Sequence, residues 1–375
     1  MKYIPYGHQT IDDEDIQAVI SVLKGDWLTQ GPLVSQFEEA IAEYVGVRYA
    51  VSFANGTAAL HGAYYAAGLQ DGDEVITSPI TFAATSNAAV YLGGSPVFAD
   101  ISPDTYCIDP EAVSQRITSK TKVIAPVSYA GFPVDIHRLR AIADETGAII
   151  IEDGCHALGA TRDGRKVGSE ADMTVFSFHP VKHITTGEGG MVVTDNPLFA
   201  ERLRLFRSHG ITKDEAKMER QSQGPWYAEM IDLGYNYRLT DLQSALGFSQ
   251  LKKLDRFLEK RRGIAQRYNA ALATVENIKI PPSHSGHAYH LYPLWVEPSR
   301  RKHVFEFLRE HNIGAQVHYI PVYLHPYYMN TFGFKSGECP CAEHFYAGEI
   351  SLPIFPALAE HNVEYVCDKV KEAVC

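Results

Sequence analysis

Seven short apolar runs, set apart by stretches of helical periodicity, constrain this chain more than any other feature of its sequence. They cover Tyr49 to Phe53, Glu74 to Thr77, Pro96 to Ala99, Lys122 to Val127, Ala148 to Ile151, Met173 to Phe178 and Met191 to Thr194. Most are apolar on both faces, the pattern of strands covered on both sides of a mostly parallel sheet. The segments between them carry helix punctuation, as where Asp109-Pro110-Glu111 supplies a cap, a first-turn proline and a first-turn acid. The expected class is therefore α/β, with a seven-stranded, mostly parallel sheet. Ahead of the sheet, residues 12 to 24 read as a helix, with Thr10 and Asp13 as its capping box and Gly25 as its terminator, and a second helix runs near 33 to 45. A long charged helical stretch, Leu251 to Tyr268, then leads into a smaller α+β region. A large domain over 1–250 and a small C-terminal domain over 251–375 are expected.

Composition narrows the function classes. With 375 residues, 45% of them hydrophobic, the chain can bury an ample core. Its net charge of −11 argues against a nucleic-acid partner or an anionic membrane, so a phosphate-bearing ligand would have to be held by local donors. Cysteines at 107, 155, 339, 341, 367 and 375 follow no pairing pattern, which predicts neither a disulfide framework nor a metal site and fits a reduced, cytoplasmic setting. Cys339-Pro-Cys341, the one close pair, reads as loop. The N-terminus shows no apolar signal core and no run is long enough to span a bilayer, so a soluble chain with no membrane partner is expected.

In a doubly wound sheet the ligand lies beyond the carboxyl ends of the strands. Lys182 stands there, in Phe176-Ser-Phe-His-Pro-Val-Lys-His-Ile-Thr-Thr-Gly-Glu-Gly-Gly190. A lysine partly desolvated at a strand end can lose its proton and attack an aldehyde, so Lys182 reads as a Schiff-base lysine; a lysine followed by glycines, taken alone, is more often a solvated loop residue. Asp153 follows the run Ala148 to Ile151, where a buried carboxylate would keep the ring nitrogen of a pyridine cofactor protonated. Its neighbour Glu152 faces the other way and is expected in a structural salt bridge. Asn55-Gly56-Thr57-Ala58-Ala59-Leu60 joins a strand to a helix, so Gly56, Thr57 and the hydroxyl of Ser177 are candidates to hold a phosphate at the positive end of the helix dipole. Phe82 could lie flat on the ring or belong to the core. His209, His318 and Tyr319 are candidate contacts for sugar hydroxyls or a carboxylate, while Tyr323, Tyr327 and Tyr328 suit either a pocket floor or packing.

Taken together, the Lys182 segment, Glu152-Asp-Gly-Cys-His-Ala157, Asn55-Gly-Thr-Ala-Ala-Leu60 and Gly234-Tyr-Asn-Tyr-Arg-Leu-Thr-Asp-Leu-Gln-Ser-Ala-Leu-Gly247 resemble the DegT/StrS-type sugar aminotransferases over nearly the whole chain. The resemblance implies a fold-type I enzyme using pyridoxal 5'-phosphate (PLP), with Lys182 as the covalent anchor, Asp153 on the ring nitrogen and His156, where many members have glutamine, on the phenolic oxygen. It also implies Gly56, Thr57 and Ser177 on the phosphate, completed by Asn236 from the other subunit of a homodimer. Leu205-Phe-Arg-Ser-His-Gly210, Gln316-Val-His-Tyr-Ile-Pro321 and Glu349-Ile-Ser-Leu-Pro353 look most like the branch serving pseudaminic acid biosynthesis. There the expected substrates are L-glutamate and a UDP-linked 4-keto-6-deoxy-N-acetylhexosamine.

Other readings stay open on the sequence. A dTDP- or GDP-linked 4-keto sugar would fit the same motifs, since none reads the base. The dehydratase branch replaces the anchoring lysine by histidine, against which Lys182 stands, although His183 follows it. A non-catalytic PLP-binding regulator would keep the cofactor site without turnover.

Overall fold

The apolar runs do pair into one sheet. In the computed structural model, which describes residues 2–374, its strands lie in the order Tyr49–Phe53, Gly190–Thr194, Met173–Ser177, Ile149–Asp153, Thr121–Ala125, Glu74–Thr77 and Ser95–Phe98. Gly190–Thr194 is antiparallel to both its neighbours and every other pairing is parallel. The class is thus α/β with a seven-stranded, mostly parallel sheet, as expected. Helices cover both faces, which explains the near-continuous apolarity: Val51, Phe53, Ile76, Ile124, Ile150, Ile151, Val175 and Val192 are all inaccessible to solvent.

Expected boundaries shift where polar residues belong to an element. The strand read as ending at Ile151 continues through Glu152 and Asp153, because Asp153 pairs with Val175 of the next strand. The first helix, Asp13–Leu23, is capped by Asp12 and not Thr10: Asp12 accepts from the Asp15 N–H at 3.3 Å and the Asp15 carboxylate accepts from the Asp12 N–H at 3.1 Å. Asp15 is itself buried, accepting from Ser249 and Gln250 on the Asp241–Leu251 helix. The Cys339-Pro-Cys341 pair is not all loop, since Cys339 stands just ahead of the helix Pro340–Gly348 and the proline opens it. Among the described residues all five cysteines are free and no group of side chains has metal-ligand geometry; Cys375 lies outside them. No helix there is long and apolar enough to cross a membrane.

The charged stretch expected from Leu251 divides in two. Leu251 ends one helix, and a second, Leu254–Leu272, begins three residues later. Its first turns, through Leu254 and Leu258, pack with Phe37, Ile41 and Phe178 beside the large sheet, whereas Ile264, Tyr268 and Leu272 join the core under a three-stranded sheet, Ile278–Lys279, Tyr292–Val296 and Glu349–Leu352. At the junction Arg261 is fully buried without a carboxylate. Its guanidinium donates to the carbonyls of Ile354 at 3.0 Å, Tyr289 at 3.2 Å and His290 at 3.3 Å, and so ties that segment to the helix.

Candidate active site

Five strands running in one direction end on a single cavity of about 800 Å³, lined by residues at or beyond their ends: Asn55 to Ala58, Thr81 and Phe82, Val127, Asp153 with Cys155 and His156, and Ser177 with His179, Val181 and Lys182. The antiparallel strand begins at the same edge with Gly190, behind Glu188. Topology alone therefore gathers residues scattered over more than a hundred positions.

At one end of the cavity Asn55 caps the helix Gly56–Ala66, its Oδ1 accepting from the Ala58 N–H at 2.8 Å. The N–H groups of Gly56 and Thr57 have no acceptor within the helix, so two donors and the positive dipole end face the opening. Space here is tight: a Cβ on Gly56 would press on the Ser177 Cβ at 3.0 Å, and one on Gly190 would collide with the Asn55 carbonyl oxygen at 2.5 Å. Backbone donors and the Ser177 hydroxyl thus converge on one point, the geometry an anionic phosphate needs.

At the other end Asp153 is 5% exposed, at the carboxyl terminus of its strand. Its Oδ2 accepts from the Thr85 hydroxyl at 2.7 Å and its Oδ1 from the Cys155 N–H at 3.1 Å. Glu152 points to the opposite side, as strand alternation requires. The expected salt bridge is absent among the described residues: Glu152 takes hydrogen bonds from Ser128 at 2.5 Å and Thr174 at 3.4 Å. Burial without a cationic partner pushes its carboxyl up to about 7.

Lys182 sits between these ends, on the turn where its N–H donates to the His179 carbonyl. Burial lowers its ammonium pKa from the ordinary lysine range, and Cys155 and Asp153 act in the opposite sense. Its Nζ lies 3.5 Å from His290 Nε2. His290 was not among the expected residues. Its other nitrogen, Nδ1, is buried without a partner, and burial together with Lys182 holds the ring neutral. His183, the neighbour of Lys182, turns away to the Ala288 carbonyl at 3.2 Å.

His156 is buried and neutral, its pKa far below the ordinary histidine value through burial and then through Lys182. The Ala130 N–H donates to its Nδ1 at 3.3 Å, so the proton sits on Nε2, which donates to the Tyr319 hydroxyl at 3.2 Å. Tyr319 and His318 line the cavity with Tyr6. Phe82 is 62% exposed, so it is no core residue; its ring centre lies 6.2 Å from that of Tyr319, at the cavity mouth. Tyr323 and Tyr328 belong to the core and Tyr327 to the surface; none lines the cavity.

His209 and Asn236 stay outside this chain's own cavity. Both are exposed, on paired segments where Ser208 bridges Asn236. His209, expected at the substrate, has a positive φ of 62° at the turn to Gly210. The same segment presents Trp226, Met230, Leu233 and Tyr235 to solvent.

PLP fits these residues on observation alone. A donor cluster stripped of side-chain bulk suits its phosphate, a buried carboxylate its ring nitrogen, a desolvated amine its aldehyde, and one orphaned buried nitrogen on His290 still lacks a partner.

Comparison with known proteins agrees with that chemistry. The family model of the DegT/DnrJ/EryC1/StrS aminotransferases matches residues 9–371. The spore coat polysaccharide biosynthesis protein SpsC of Bacillus subtilis is 40% identical over 99% of this chain and 97% of its own length. The UDP-4-amino-4,6-dideoxy-N-acetyl-beta-L-altrosamine transaminase of Campylobacter jejuni is 39% identical over 99% of this chain and 100% of its own. Among solved structures, Helicobacter pylori PseC, an aminotransferase involved in the biosynthesis of pseudoaminic acid, superimposes with a TM-score of 0.93 at 35% identity, covering 100% of this chain and 99% of that one. The fold and site define a PLP-dependent aminotransferase of fold type I. The chain belongs to the DegT/DnrJ/EryC1/StrS family and is a sugar aminotransferase.

Proposed function

We propose that this sugar aminotransferase moves the amino group of L-glutamate to C4 of a UDP-linked 4-keto-6-deoxy-N-acetylhexosamine, in two half-reactions at one site. The observation that carries the mechanism is the pairing, in one cavity, of a lysine whose ammonium pKa burial lowers with a buried carboxylate. The sugar is supported by the names of the Campylobacter and Helicobacter relatives, each similar over its full length.

PLP, when bound, supplies an aldehyde that takes up the amino group and a ring that withdraws electrons from the reacting carbon. Lys182 is both anchor and proton carrier: once its amine is free, a lysine of lowered pKa can accept a proton from one carbon and give it to another. Asp153, fixed in place by Thr85 and the Cys155 N–H, would hold the ring nitrogen. Gly56, Thr57 and Ser177 would hold the phosphate, Phe82 would cover a ring face, and His156 would contact the phenolic oxygen. His318 and Tyr319, which line the cavity beside His156, would contact substrate. The exposed apolar segment bearing Asn236 and His209 suits an isologous homodimer, in which Asn236 of the partner subunit would complete the phosphate site.

The sugar is tested by incubating holoenzyme and L-glutamate with UDP-, dTDP- and GDP-linked 4-keto-6-deoxy sugars and identifying amino-sugar products by mass spectrometry. Amination of the UDP-linked N-acetylhexosamine is expected. Product only from a dTDP- or GDP-linked sugar would replace the substrate and keep the mechanism.

A further inference from the structure

Two segments far apart in sequence meet behind the cavity wall. In the strand Glu349–Leu352, alternation sends Ile350 and Leu352 into the apolar core and turns Glu349 and Ser351 to the other face. Ser351 bridges Gln316 through the backbone, which lays His318 across both polar side chains. Glu349 Oε2 accepts the His318 N–H at 2.7 Å, Ser351 Oγ lies 2.5 Å from Glu349 Oε1, and His318 Nδ1 lies 2.8 Å from that same Oγ. Glu349 and Ser351 are inaccessible to solvent. The imidazole reaches the cavity, so the chain of hydrogen bonds ends at His318 Nε2 on the substrate side.

We propose that Glu349 and Ser351 are positioning residues that act through His318 as a proton relay, storing on a buried carboxyl a proton taken up at His318 Nε2 from substrate. A hydroxyl has one proton, and this fixes the logic. With Glu349 ionised, Ser351 must donate to the carboxylate and accept from Nδ1–H, which leaves Nε2 with a bare lone pair facing the cavity. With Glu349 protonated, the carboxyl donates to Ser351, Ser351 donates to Nδ1, and Nε2 carries the proton. Uptake is therefore one concerted shift: a proton binds Nε2, the Nδ1 proton passes to Ser351, and the Ser351 proton passes to Glu349. The imidazole stays neutral throughout, and the single charge lost is that of the carboxylate.

The electrostatics favour this route over a cationic imidazole. Burial, reinforced by Lys182, pushes the His318 imidazolium down to about 3. Burial pushes the Glu349 carboxyl up to about 8, against the hydrogen bonds from Ser351 and the His318 N–H and the charge of Arg301. Lys182, His156, Tyr6, Tyr129, Tyr319 and Arg301 are the other titratable or charged groups facing the trio. The relay rests on the proposed transamination, which needs such a store: an amino acid arrives as an ammonium that must shed a proton, and the sugar's ketone oxygen departs as water, which must gain protons.

The test is nitrogen NMR of holoenzyme labelled at histidine, with the His318 signals assigned by their loss in His318→Asn. In the wild type, the protonated nitrogen of His318 should change from Nε2 to Nδ1 as pH rises through about 8. Glu349→Gln, whose amide oxygen must take the place of Oε2 to accept the His318 N–H and so turns its NH2 toward Ser351, should hold Nε2–H at every pH. Its kcat should fall about tenfold or more, its alkaline pH dependence should disappear, and its KM should change little. Ser351→Ala should uncouple the tautomer from pH and Ser351→Thr should restore the coupling, which keeps the test open should Glu349→Gln fail to fold. A tautomer that ignores pH in the wild type, or one that shifts with pH unchanged in Glu349→Gln, would overturn the relay. Because the NMR readout uses no sugar, its failure is separate from a wrong sugar assignment.

Discussion

Lys182→Ala is expected to abolish turnover and to leave PLP bound without covalent attachment. Two separate losses combine. The side chain is the one amine in the cavity, and burial lowers its pKa as covalent attachment to an aldehyde requires. It is also the group placed to move protons, a role worth ~10²–10⁴-fold by itself. The substitution removes a partly buried side chain and opens space into an existing cavity, so folding should survive. Turnover assays, with absorption spectra before and after dialysis, measure both losses. A variant that retains activity would show that Lys182 is structural.

Asp153→Asn should lower kcat by about 10- to 100-fold, because a hydrogen bond to a charged group is worth ~1.5–3 kcal/mol and the amide carries no charge to hold a ring proton. The local packing can absorb this change. Asp153 accepts from Thr85 on one oxygen and from the Cys155 N–H on the other, and the Thr85 hydroxyl lies 2.8 Å from that of Thr81. Rotating the Thr85 hydroxyl toward Thr81 lets it accept from the new amide, so every polar group keeps a partner. The thermal midpoint should therefore move little while kcat falls. An equal loss of stability and activity would instead make Asp153 a structural acid.

The sheet was readable because a strand covered on both faces is written as an unbroken apolar run. Its ends were not, since Glu152 and Asp153 are polar residues in strand geometry, satisfied by Ser128, Thr174, Thr85 and the Cys155 N–H, and periodicity assigns such residues to the loop. The first helix shows the same limit: Thr10 and Asp12 both precede it, and only the paired bonds between Asp12 and Asp15 decide the cap. Residues at or soon after strand ends, such as Gly56, Asp153, Ser177 and Lys182, could be singled out because topology places them together. His290 and Glu349 had no such signal. The first reaches Lys182 across 108 positions, and the second faces the cavity only through Ser351 and His318. Histidines at 287 and 290, crowded into one short segment, were the trace that could have drawn attention to the first.

The central claim, that one site passes an amino group from L-glutamate to a UDP-linked keto sugar, is most directly tested by the visible absorption of the holoenzyme. L-Glutamate alone should discharge the yellow colour as the cofactor takes up the amino group. After removal of excess glutamate, the UDP-linked 4-keto-6-deoxy-N-acetylhexosamine should restore it, and the dTDP- and GDP-linked sugars should not. A spectrum unmoved by glutamate, or colour restored only by another nucleotide's sugar, would contradict the account.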